Sequence, residues 1–206
     1  MGAPAFDRVY MNHLDEDLYR EQSPLEERQK YLRMGLGERL GEFVNLEYTD
    51  PNPEFPFNPL EEGMVFDLGG LHVEPYAMPG HTAGSMVILL VEPRILILGD
   101  SCNKSTFLFG QESSTVEEYC ASVKRIRDKL EGRYDRVFIS HHQMDVNRNI
   151  LDAMLDVCHD IMSGNADDLP FEFMGVKAFI AKRCTREFNR VDGVDGNLVY
   201  SKDKIW

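Results

Sequence analysis

The chain has 206 residues, the length of one domain or of a large part of one. Hydrophobic residues make up 43% of the sequence and charged residues 28%, which predicts a packed core and argues against extensive disorder. The formal net charge of −13 argues against a nucleic-acid partner, because binding to a polyanion requires a surface rich in lysine and arginine.

Neither a leader nor a membrane anchor is expected. No apolar run reaches the ~20 residues that span a bilayer, and residues 1–10 lack the basic and apolar pattern of a signal peptide. The cysteines at positions 102, 120, 158 and 184 form no Cys-x-x-Cys pair, so reduced thiols are the simplest interpretation. We therefore expect a cytoplasmic protein with no membrane partner.

The N-terminal part of the chain contains one predicted helix and one long loop. Ser23-Pro24-Leu25-Glu26 has the pattern of a capping box and predicts a helix over residues 24–34. Residues 49–63 hold four prolines, with Phe55 and Phe57 between them, and this density excludes helix and central strand. The loop is either a lid over a substrate or an ordinary packed connector.

After the proline-rich loop, the pattern changes to short apolar runs. Residues 64–66 and 71–73 flank Asp67-Leu68-Gly69-Gly70, which is typical of a hairpin turn. Residues 86–91 and 94–98 form a second predicted hairpin. These strands are apolar on both faces, so we expect cover on both sides, as in a layered α/β domain.

Helices and strands alternate in the C-terminal part. Ser114-Thr115-Val116-Glu117 is a second predicted capping box, and apolar residues at helical spacing follow it to residue 130. A short buried strand is predicted at residues 137–139 and a long helix at residues 150–162. Residues 198–200 are predicted to form a closing strand.

Candidate functional residues stand where buried strands end. His81 lies in the loop Pro79-Gly80-His81-Thr82-Ala83-Gly84-Ser85, Asp100 directly follows the next hairpin, and His141 and His142 follow a later strand. In open α/β sheets, ligands bind in the crevice outside the strand ends. Two imidazoles and a carboxylate at such ends suit Zn²⁺, or iron or manganese.

The Gly-His-Thr-x-Gly-Ser loop, the hairpin ending in Gly-Asp and the strand ending in histidine together resemble the metallo-β-lactamase-like superfamily. The resemblance runs from residue 6 to residue 200. It implies an αββα sandwich, a fold of the α/β class, over residues 1–206 as a single partial domain. It also implies that His81 binds one metal ion, that Asp100 bridges two and is catalytic, and that His141 binds the other. By the same resemblance, a metal-bridging hydroxide attacks an ester, thioester, lactam, lactone or phosphoester.

Several residues near these ligands have two interpretations. His142 either acts in catalysis, by donating to the substrate or orienting His141, or is an exposed residue at a loop start. Thr82 and Ser85 are expected to fix the His81 loop rather than to touch the substrate. Cys102 either approaches the metals or packs as a small buried hydrophobic residue.

One part of the family pattern does not occur in this chain. Relatives carry an upstream His-x-His-x-Asp-His motif that supplies four ligands, and residues 2–10 look like the segment that follows it. We therefore expect that the N-terminal strands and this motif are missing, and that zinc binds weakly. A sheet face exposed by their loss would favour a homo-oligomer.

The sequence supports two main functions. The first is a metal-dependent hydrolase of a small metabolite, with an incomplete metal site. The second is a catalytically inactive half-domain that serves as an interaction or structural module. A third interpretation is an iron-containing oxidoreductase or sulfur-metabolism relative. The substrate is not predictable, because this fold and these ligands serve unrelated chemistries.

Overall fold

A computed structural model of the chain contains both helices and strands, so the protein has mixed α/β structure. The described residues are 5–37, 39, 41, 54–141 and 143–206. The chain divides into two compact units, Met1–Leu60 and Glu61–Trp206. The assignment of residues 1–206 to one domain stays a prediction. Within the described residues, no helix is long and apolar enough to cross a membrane.

Among its described residues, the first unit contains two α-helices and a short parallel strand pair: β1 (Tyr10–Met11), α1 (Glu16–Gln22), α2 (Leu25–Leu36) and β2 (Asn58–Pro59). The hydroxyl of Ser23 donates to the carbonyl of Tyr19 at 2.6 Å, so it closes α1. The N-cap of α2 is Pro24. The predicted capping role of Ser23 at the start of α2 is therefore wrong, although the helix itself is confirmed.

The second unit contains ten strands and two helices among its described residues. In chain order they are β3 (Phe66–Asp67), β4 (His72–Ala77), β5 (Met86–Leu90), β6 (Ile95–Gly99), β7 (Thr106–Leu108), α3 (Val116–Leu130), β8 (Arg136–Ile139), β9 (Asp145–Val146), α4 (Ile150–Met162), β10 (Leu169–Phe173), β11 (Val176–Ile180) and β12 (Leu198–Tyr200).

The larger sheet of the second unit has the strand order β3-β4-β5-β6-β8-β9. The antiparallel pairs β3–β4 and β5–β6 confirm both predicted hairpins. Strand β6 pairs in parallel with β8, and α3 lies between them in the chain. Parallel strands end at the same edge of a sheet, so the residues that follow β6 and β8 emerge together.

One face of this sheet packs into the main core. Alternate residues of the central strands are buried there with the apolar faces of α3 and α4, among them Val87, Leu89, Leu96, Leu98 and Val137. Helix α3 begins after Thr115, whose side chain accepts from the backbone of Glu118 while the carboxylate of Glu118 accepts from Thr115. The predicted capping box is therefore real but begins one residue later than expected.

The opposite face of the same strands is apolar but only half-buried. Ile88 lies opposite Ile97, and Ile97 lies opposite Phe138, so these three side chains share that face. The guanidinium of Arg136 lies 4.9 Å from the centre of the Phe138 ring and covers part of it. The expectation that both faces of these strands are fully covered is thus met on one side only.

The smaller sheet has the order β10-β11-β12-β7 and carries a cluster of aromatic side chains. We call the five half-buried rings the phenylalanine cluster: Phe107, Phe109, Phe171, Phe173 and Phe188. The ring centres of Phe107 and Phe173 are 5.4 Å apart, and those of Phe107 and Phe109 are 5.0 Å apart. The cluster places a large apolar surface beside β7.

Candidate functional site

Asp100 and His141 meet at the edge where β6 and β8 end. Nε2 of His141 lies 3.0 Å from Oδ1 of Asp100. Their side chains are 64% (His141) and 47% (Asp100) exposed, so solvent reaches both groups. The ladder between β6 and β8 is irregular between Ile97 and Gly99, and Gly99 has φ = 56°, a left-handed conformation that favours glycine. The backbone therefore leaves the strand conformation at Gly99, immediately before Asp100.

His81 is held by a backbone carbonyl of the smaller sheet. Its Nδ1 lies 2.9 Å from the oxygen of Phe107. A carbonyl oxygen only accepts, so Nδ1 carries the proton and donates, and Nε2 keeps its lone pair in the neutral ring. This is the usual arrangement of a metal-binding histidine, whose second nitrogen donates to a carbonyl or carboxylate. In this tautomer, Nε2 is the His81 ring nitrogen that is left to bind a cation.

Short polar contacts fix the loop around His81. The hydroxyl of Ser85 accepts from the backbone N–H of Thr82 at 3.0 Å, and the two side-chain oxygens are 2.8 Å apart. The hydroxyl of Ser113 donates to the carbonyl of His81 at 3.1 Å. The carbonyl of Gly80 accepts from a backbone N–H at 2.9 Å. These contacts confirm the expected structural role of Thr82 and Ser85.

Tyr119 connects the His81 loop with the Asp100 strand end. A Cβ atom at Gly80 would lie 2.2 Å from Cδ2 of the Tyr119 ring, so only glycine fits against this ring. The Tyr119 hydroxyl donates to the carbonyl of Ser101 at 2.7 Å. The sequence pattern identifies Tyr119 only as a core position of α3. Its place between the neighbours of His81 and Asp100 depends on tertiary packing.

The structure brings together two of the predicted site residues. Within the described part of the chain, no three His, Cys, Asp or Glu side chains are grouped so as to hold a metal ion. The roles of His81, Asp100 and His141 as ligands of one centre therefore stay predictions. His142 lies outside the described residues.

The sequence also singled out Cys102 and the pair Phe55 and Phe57, and the structure describes what surrounds each. Cys102 is fully buried, and burial raises the pKa of its thiol to about 12, which disfavours the thiolate that a metal would bind. This favours the packing role of Cys102.

Phe55 and Phe57 are in edge contact at 5.0 Å, and Phe57 also contacts Tyr19 at 4.8 Å. They line a cavity of about 220 Å³ within the first unit, together with Met11 and Arg20.

Comparisons with known proteins identify the family of this chain. The family model described as the metallo-beta-lactamase superfamily matches residues 5–111, more than half of the chain, and includes both His81 and Asp100. A curated relative, the acyl-coenzyme A thioesterase MBLAC2 of Gallus gallus, is 30% identical over 93 residues, which are 45% of this chain and 34% of that protein.

Solved structures show the same fold. A metallo-beta-lactamase family protein from Thermus thermophilus has a TM-score of 0.52 and 17% identity, over 76% of this chain and 54% of that one. A double mutant of a sec-alkyl sulfatase from Pseudomonas sp. has a TM-score of 0.51 and 16% identity, over 76% and 28%. The chain thus spans about half or less of these relatives. By the family match and the fold, this chain belongs to the metallo-beta-lactamase superfamily.

Proposed function

We propose that this chain is a metal-dependent hydrolase of a small metabolite, with a thioester as the preferred substrate class. The observation that carries the proposal is the contact between His141 Nε2 and Asp100 Oδ1 at the shared end of two parallel strands. Family membership supports hydrolysis. The similarity to an acyl-coenzyme A thioesterase supports a thioester, although that match covers 34% of the relative.

The donor atoms of the three predicted ligands suit a divalent cation. Asp100 supplies a negative charge, His141 supplies an exposed imidazole, and the hydrogen bond to the Phe107 carbonyl leaves Nε2 of His81 free. This mixture of imidazole and carboxylate suits zinc, and also iron or manganese. When bound, such an ion lowers the pKa of water and supplies a nucleophile near neutral pH.

The surrounding residues would orient the site and receive the substrate. The carboxylate of Asp100 offsets positive charge, and the Phe107 carbonyl fixes the ring of His81. The phenylalanine cluster adjoins His81 through Phe107 and offers apolar contact to a part of the substrate that does not react. An acyl chain would bury aromatic and aliphatic surface there, which favours its binding by ~25 cal/mol per Å².

A substrate panel tests this function. The full chain, purified and loaded with zinc, iron or manganese, is assayed against a thioester, an ester, a lactone, a β-lactam and a phosphoester. We expect metal-dependent thioester hydrolysis that a chelator stops and added metal restores. His81→Ala should lower kcat/KM by at least about 100-fold, since it removes a ligand. Turnover of none of the five classes by metal-loaded protein would favour the inactive interaction module instead.

We also propose that the chain self-associates through the half-buried face around Ile97. Exposed apolar patches often mark protein–protein interaction sites, and the two-fold dimer is the commonest closed assembly. Light scattering at micromolar concentration should show a dimer. Ile97→Lys should shift the molecule to a monomer, whereas Leu68→Lys, at a residue already 66% exposed in a turn, should not. A wild-type chain that is monomeric throughout this range, without binding a hydrophobic dye, would contradict the proposal.

A further inference from the structure

Two thiols and an imidazole meet where α3 and α4 pack together. Sγ of Cys120, on α3, lies 3.9 Å from Nε2 of His159 on α4. Cys158 directly precedes His159 on α4, and its thiol interacts with that of Cys120. All four cysteines of the chain are free. This group, which we call the thiol–imidazole cluster, lies on helices rather than on the strand-end loops of the candidate metal site.

The surroundings of Cys120 affect its thiol pKa differently from those of the other three cysteines. The hydrogen bond from Cys158 and the nearby imidazole of His159 lower the pKa of the Cys120 thiol. The same hydrogen bond, together with burial, raises the pKa of Cys158. Burial also raises the pKa of Cys102 and of Cys184. The thiolate is the reactive form of cysteine, and these surroundings favour the thiolate at Cys120 over the other three positions.

The three members of the cluster differ in their exposure to solvent. Cys120 keeps 8% of its surface exposed, whereas Cys158 is fully buried. His159 is exposed at the last turn of α4. Cys120 is therefore the more accessible of the two thiols.

We propose that Cys120 and Cys158 form an oxidative modification site, at which a peroxide converts the two thiols into a disulfide between α3 and α4. The Cys120 thiolate attacks one oxygen of hydrogen peroxide. The O–O bond breaks, sulfur is oxidised to the sulfenic acid, and the leaving hydroxide takes up the proton that the Cys120 thiol had released and becomes water. The sulfur of Cys158 then attacks the Cys120 sulfur, the S–O bond breaks, and hydroxide leaves with the Cys158 proton as a second water.

Mass spectrometry of the full chain tests this site. The protein is treated with hydrogen peroxide in the presence of a chelator, so that no metal catalyses the oxidation. We expect the intact mass to fall by two hydrogen atoms, and peptide mapping should link Cys120 to Cys158. Cys158→Ser should instead accumulate a sulfenic acid at position 120, trapped by a dimedone probe. His159→Gln should slow oxidation about tenfold, because it removes an imidazole that lowers the pKa of the Cys120 thiol.

Matched controls use the other cysteines. Cys184→Ser, which removes the more exposed thiol, and Cys102→Ser, which removes a buried one, should leave the Cys120–Cys158 link and its rate unchanged. A link that involves Cys184, or a sulfenic acid that forms faster at Cys184 than at Cys120, would overturn the proposal. An unchanged mass in folded wild-type protein would also overturn it. If Cys158→Ser does not fold, the dimedone probe applied to the wild type during early oxidation gives the same information.

Discussion

Replacing Asp100 by asparagine is expected to lower the zinc affinity of the chain by about 100-fold or more, a larger loss than the 10–100-fold typical of outer-shell partners. Asp100 is the anion of the predicted ligand set, and asparagine keeps its size while removing its charge. The exposed contact with His141 means that the change leaves no buried charge unpaired. Zinc bound per chain after equilibrium dialysis, at several free-zinc concentrations, measures the effect.

Asp128 is a suitable control for this experiment. It is an exposed carboxylate on α3 that pairs with Lys124 and Arg127, so Asp128→Asn also removes one surface charge. Zinc binding should be the same in this variant as in the wild type. If Asp100→Asn and Asp128→Asn bind zinc equally, the metal lies elsewhere and the assignment of Asp100 is wrong. Tight binding of two metal ions by the wild type would contradict the expected weak binding.

Gly80→Ala is expected to destabilise the fold by about 1–3 kcal/mol, the usual cost of forcing an extra group into a packed site. The added carbon would lie 2.2 Å from the Tyr119 ring. The ring is fully buried and its hydroxyl is bonded to Ser101, so it has little freedom to move. The loop that carries His81 should shift instead, and zinc affinity should fall with stability. Urea denaturation and dialysis measure the two effects.

Gly41→Ala is the matched control, because a Cβ at that position would meet nothing within 4 Å. Its denaturation midpoint should be close to that of the wild type. Tyr119→Phe provides a second test, since it keeps the ring but removes the hydrogen bond to Ser101, at a cost of about 0.5–1.5 kcal/mol. Unchanged stability and zinc binding in Gly80→Ala would show that the contact between loop and ring is not rigid.

Local patterns predicted the elements with strong periodicity. The apolar stripe of α4 and the Asp67-Leu68-Gly69-Gly70 turn between β3 and β4 are both confirmed. The resemblance to the family, which rests on the His81 loop and the Gly99-Asp100 pair, is confirmed by the family match. These features depend on side chains that lie close together in the chain, so a single sequence contains enough information to place them.

Other features were missed or misplaced, and only some of them depend on distant contacts. Ser23 has the composition of a helix N-cap, but the carbonyl of Tyr19 in the preceding helix competes for its hydroxyl. The β10–β11 hairpin was not predicted, although Phe171 and Phe173 alternate with exposed residues as in a strand. The contacts of Tyr119 and Cys120 with other elements depend on how α3 packs, and local sequence patterns do not predict that packing.

The parallel pairing of β6 and β8 has a consequence for how the molecule matures. Asp100 and His141 are neighbours in space although β7 and the whole of α3 lie between them in the chain. A cation that both residues hold would therefore close a long chain loop and bind the native state but not the unfolded chain. At a free concentration of 100 times its Kd, such an ion would add about 2.7 kcal/mol to the free energy of unfolding. During synthesis, a chain that ends before β8 would lack this stabilisation, because it does not yet contain His141.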